Sequence, residues 1–78
     1  MDQKPSIGRI VHYVLPSPAK YAGEHRPAII TRVWSDTCVN LHVFEDFDDG
    51  ELESLPTSVT FEALGKAERS WHWPERVD

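Results

Sequence analysis

The stretch "PAIITRVWSDTCVNLHVF", Pro27 to Phe44, decides the fold. Its first half, Pro27 to Trp34, is rich in β-branched residues, and a proline is tolerated at the first position of a strand. Its second half, Thr37 to Phe44, alternates Val39, Leu41 and Val43 with Cys38, Asn40 and His42, the two-residue period of a half-buried strand. Ser35-Asp36 between them reads as a short turn, so the whole stretch is a hairpin.

Working outward, "GRIVHYVL" (Gly8 to Leu15) opposes Ile10, His12 and Val14 to Val11, Tyr13 and Leu15 and reads as a strand before the hairpin. "TSVTFE" (Thr57 to Glu62) and "RSWHWP" (Arg69 to Pro74) read as two strands after it. In the last of these, Trp71 and Trp73 fall on one face, because side chains two apart point the same way. The connections carry turn chemistry. "PSPAKYAGEHR" (Pro16 to Arg26) has two prolines and a glycine, Asp49-Gly50 marks a turn in "EDFDDGELESLP" (Glu45 to Pro56), and "ALGKAE" (Ala63 to Glu68) turns around Gly65. No stretch reads as more than a single helical turn, and there is no internal repeat. Five short strands in this order predict an all-β fold, a small SH3-like barrel spanning residues 1–78 as one domain. Closure removes the exposed edges on which other chains would pair.

A chain of 78 residues is near the lower limit for a core that holds unaided. Its one cysteine, Cys38, excludes an intrachain disulfide and suits a reducing compartment. Aromatic burial and homo-oligomerisation are the expected sources of stability. The formal charge is −5, with 13 acidic and 8 basic residues, so the footprint that binds duplex nucleic acid is missing. Glu45, Asp46, Asp48, Asp49, Glu51 and Glu53 concentrate the negative charge in one loop, a candidate docking face for a basic protein. No apolar run approaches bilayer length, and the charged start is unlike a signal peptide, so the chain is expected away from membranes.

The four histidines are read as showing no HxH, HExxH or carboxylate–His spacing, and Cys38 falls within a strand. No catalytic residue, metal ligand or cofactor is therefore assigned. The expected site is a binding one. Tyr13, Trp71 and Trp73 are candidates to stack on a base, with His25, Arg26 and Arg32 to hold phosphates; Tyr21, Arg69 and His72 belong to the same wider set. If the loop 16–26 folds over the barrel mouth, these groups converge on a nucleotide-sized ligand. The alternative is that Arg26 and Arg32 pair with Asp36 or Glu24 on the surface.

Two resemblances bear on the role. "GRIVHYVL", "HRPAI" and the ending "WHWPE" together resemble a group of short phage and prophage proteins over nearly the full length. This implies a phage accessory protein in the host cytoplasm, without implying an activity. The junction "GEHRPAIITRVW" and the opening "GRIVHYVLPSP" resemble the MazF/PemK toxin ribonucleases over the first third to half of the chain. That resemblance implies a barrel in which Arg26 would stabilise a phosphate transition state; it ends at Trp34, before a second catalytic hydroxyl is placed. The function expected first is non-enzymatic sequestration of a small nucleotide signal of bacterial antiviral immunity. A module docking a host protein by its aromatic face or acidic loop comes second, and an endoribonuclease third.

Overall fold

The computed structural model describes residues 3–17, 19–50 and 52–75. It is an all-β closed barrel of five strands in sequential order, β1 Ile10–Val14, β2 His25–Val33, β3 Cys38–Val43, β4 Val59–Phe61 and β5 Ser70–His72. No described residue is helical, so none of them forms a helix long and apolar enough to cross a membrane. The architecture is that of a small SH3-like barrel, as the alternating patterns predict.

Side-chain alternation sorts the strands into two faces. Val11, Tyr13 and Leu15 point inward with Ala28, Ile30, Val39, Leu41, Val43, Val59 and Trp71 to make the core. The other face of β1, with Ile10, His12 and Val14, forms outer wall. Val14 is nonetheless fully buried, and its carbonyl accepts the Arg69 amide from the loop leading into β5. The long pairing of β1 with β2 carries β2 back to His25, two residues earlier than the sequence pattern suggests. Pro27 thereby lies inside the strand, opposite His12. The β2–β3 ladder reaches only Ala28 opposite Val43, so the missing N–H of Pro27 faces the end of β3 rather than its middle. The hairpin turn is also wider than two residues: the Trp34 and Ser35 amides both reach the Cys38 carbonyl, and the Ser35 hydroxyl accepts from the Thr37 and Cys38 amides.

Closure rests on β5. It pairs antiparallel with β1, His12 opposite His72 and Tyr13 opposite Trp71, and parallel with β4, Thr60 opposite Ser70. All three of its residues are buried. Trp71 is 0% exposed, packs edge-on to Phe61, and donates its indole N–H to the Thr37 carbonyl at 3.1 Å. The last strand does plug the barrel, through Trp71.

Candidate functional site

The strand register that closes the barrel also gathers three histidines on its outer wall. His12 and His72 are directly opposite across β1 and β5. His25 opens β2 opposite Val14, two residues along the same face of β1 as His12. The ring centroids of His25 and His72 are 4.5 Å apart, with His12 at 5.6 Å from His72 and 6.2 Å from His25. Past β5 the chain passes Pro74 and brings Glu75 back over the rings. The Glu75 carboxylate meets His12 Nδ1 at 2.7 Å, His25 Nδ1 at 2.6 Å and His72 Nε2 at 2.8 Å.

The loop between β4 and β5 closes the site from the other side. Glu62 organises it by accepting from the amides of Leu64, Lys66 and Ala67, which hold its carboxyl below the usual range. The loop therefore sets Gly65 against the imidazoles, where a Cβ would stand 2.9 Å from His72 Cε1 and 3.1 Å from His25 Cε1. Gly65 also has a φ of +68°, so both the space and the backbone conformation call for glycine. Its carbonyl lies 2.8 Å from His25 Nε2.

Counting protons exposes the chemistry of this cluster. A carbonyl oxygen only accepts, so His25 Nε2 must carry the hydrogen that it shares with Gly65. In a neutral ring Nδ1 is then a lone pair, and it faces a carboxylate oxygen at 2.6 Å. Two lone pairs at that distance repel, so the contact calls for a proton between them or, with the two atoms drawn somewhat apart, a metal ion bound by both. His72 is almost fully buried and directs Nε2 at the same carboxylate oxygen, while its Nδ1 has no hydrogen-bond partner. Burial acts to raise the pKa of Glu75, but the hydrogen bonds from His72, its own backbone, His12 and His25 outweigh it and hold the carboxyl at about 2. The carboxylate is thus ionised and surrounded by imidazole nitrogens.

A second constellation centres on Arg26. Its Nε and Nη2 donate to the two oxygens of buried Asp49 at 2.8 and 2.6 Å, and Nη1 donates to Glu24 and to the His25 carbonyl. The Asp49 carboxyl is held below the usual carboxylate range chiefly by Arg26, burial acting the other way. Asp49 also accepts from the Asp46 amide, and neighbouring Asp48 accepts from Lys20 Nζ and the Tyr21 hydroxyl. These contacts tie the acidic loop to β2 and to the loop 16–26. Phe47, between Asp46 and Asp48, is left 97% exposed. Beside it runs a cleft of about 310 Å³ lined by Arg26, Pro27, Phe44, Glu45 and Asp46.

The six residues expected to meet around one nucleotide are divided among five places. Tyr13 and Trp71 are core. Trp73 is half-buried, edge-on to Trp71 at 5.3 Å and beneath the Arg9 guanidinium at 4.9 Å. Arg26 is engaged by Asp49 and Glu24, the surface pairing with Glu24 being the stated alternative. Arg32 lies 4.8 Å over the exposed Trp34 ring. His25 alone joins the histidine cluster, with His12, His72 and Glu75, which the sequence reading did not assign. Two signals could have found it: the His-x-x-Glu spacing of His72 and Glu75, which the motif reading passed over, and the polar His12 in an otherwise apolar strand.

Comparison with protein-family models, curated proteins and solved structures finds no match to this chain.

Proposed function

We propose that the chain is a non-enzymatic binding module that docks a host protein through the acidic loop around Phe47. The observation that carries this reading is a wholly exposed phenylalanine on a loop pinned at the residues that follow it. An aromatic ring left in water is a ready anchor for a partner's apolar pocket, and a loop already held in shape loses little entropy on binding. Glu45, Asp46 and Glu53, all exposed, favour a partner whose pocket has a basic rim, and such charges speed encounter more than they add affinity. The resemblance to phage proteins supplies the setting, a protein of the bacterial host.

Capture from host extract on immobilised protein tests the reading. A basic host protein is expected to be retained, to elute at raised salt, and to be lost at least tenfold on Phe47→Ala, a change that leaves the melting temperature untouched. Equal retention by Phe47→Ala would refute docking at this loop.

The Arg32–Trp34 stack favours nucleotide sequestration as a second reading. An exposed indole with a guanidinium stacked over its ring brings together the two groups that stack a base and meet its phosphate. A thermal-shift screen with cyclic dinucleotides, cyclic trinucleotides and ADP-ribose derivatives should then raise the melting temperature of the wild type but not of Trp34→Ala.

A further inference from the structure

We propose that His12, His25, His72 and Glu75 bind one divalent transition-metal ion of the zinc class, which staples the C-terminal segment to the barrel wall. One donor atom from each of these residues falls within a group spanning 4.8 Å. Four ligands at about 2.0–2.1 Å from a tetrahedral ion stand about 3.4 Å from one another. The His–Glu75 contacts of 2.6–2.8 Å lie on the short side of that edge and the widest separation on the long side. Drawing back Glu75, the most exposed of the four, lengthens the short contacts, and turning the partly exposed His12 and His25 rings inward shortens separations between the rings.

Hydrogen bonding alone leaves this cluster badly matched. Three rings aim nitrogens at a single carboxylate, and His25 confronts it with a lone pair unless an extra cation is supplied. A histidine retained for hydrogen bonding uses both ring nitrogens when buried; His72 uses only the one aimed at the centre. His25 has the pattern of a metal-bound imidazole, one nitrogen turned to the centre and the other N–H donated to a backbone carbonyl that fixes the tautomer. Three imidazoles and a carboxylate select zinc, cobalt, nickel or copper over calcium or magnesium, which take mostly oxygen ligands.

The placement gives the ion a physical purpose. The ligands come from β1, β2, β5 and the segment after β5, so one ion would cross-link β5 and the segment after it to β1 and β2. β5 has three residues and this domain has no disulfide, the situation in which small folds recruit a metal.

Untagged protein, stripped with a chelator and dialysed, is titrated with Zn²⁺ alone and with Co²⁺ alone. The expected result is uptake of one ion per chain, the intense visible absorption of four-coordinate Co²⁺, and a melting temperature raised by Zn²⁺ but not by excess Ca²⁺. His12→Ala and His25→Ala change half-exposed side chains and are expected to fold, as circular dichroism would verify, while weakening Zn²⁺ binding at least tenfold. Glu75→Gln weakens it too, and His42→Ala, a substitution in the one histidine outside the cluster, leaves it unchanged. Ring ¹⁵N shifts of the wild type supply a readout free of substitution: His12, His25 and His72 should respond to Zn²⁺, and His42 should not. Failure to take up one ion per chain, unperturbed ring nitrogens, or folded His12→Ala and His25→Ala proteins that bind as the wild type does would overturn the site. Those outcomes would make the cluster a protonated imidazole–carboxylate network.

Discussion

Trp71 and Trp73 are two positions apart, yet their loss should cost different amounts. Trp71→Ala empties the centre of the core and removes a donor from Thr37, so urea denaturation should show a loss of about 3–5 kcal/mol. Trp73→Ala removes a half-buried ring from the flank of Trp71 and should cost about 1–2 kcal/mol on the same measurement. Arg26 is part of what holds the acidic loop in place. Arg26→Ala leaves the Asp49 carboxylate buried beside no guanidinium, and Asp49→Asn weakens the same bidentate pair; each should destabilise by about 2–3 kcal/mol at neutral pH. The pH dependence follows from the depressed Asp49 pKa. The pair contributes fully above the unfolded value of 3.8, and its contribution is lost as pH falls through the lower folded pKa, so wild type and Asp49→Asn should converge in stability in strong acid. From the sequence Arg26 is visible as a cation, but Asp49 is not visible as its partner, because the ion pair depends on how the loop 45–56 folds back over β2.

At the scale of elements, short strands are held by their entries. Arg69 immediately before β5 and Ser58 immediately before β4 have φ of 61° and 52°, left-handed conformations that disfavour a side chain. The Arg69 side chain makes an exposed contact with Glu53 at 3.7 Å, which contributes little. Arg69→Gly should therefore raise the melting temperature by a few degrees, corresponding to relief of about 1 kcal/mol. Gly65→Ala should do the opposite, since its Cβ would meet two imidazoles as well as the strained backbone. Strand existence and facing were legible because Val11, Tyr13, Leu15 and Val39, Leu41, Val43 alternate plainly. The burial of Val14 was not, since it depends on a loop from the far end of the chain. For the same reason the histidine cluster stayed hidden: its members lie up to 63 residues apart and meet only through strand pairing.

For the whole molecule, the closed ladder explains how so small a domain manages without a disulfide. Each strand has two partners, and β5 completes the ring with just two register pairs on each side. Removal of residues 70–78 should abolish the cooperative melting transition, measured by circular dichroism, because β1 and β4 lose their shared neighbour and Trp71 is gone. Homo-oligomerisation, expected from size, has a direct check in light scattering; exposed Ile10, Trp34, Phe44 and Leu64 supply apolar surface for such a contact.

The pairing of His12 and Tyr13 with His72 and Trp71 also has a consequence during synthesis. While the nascent chain is still threaded through the ribosome, its first strand waits for a partner made after all the other strands. Until that partner emerges, the half-built sheet has an open margin at β1 and another at β4. The barrel can close only once β5 has emerged, and a chain cut short before β5 is primed to cluster with its own kind.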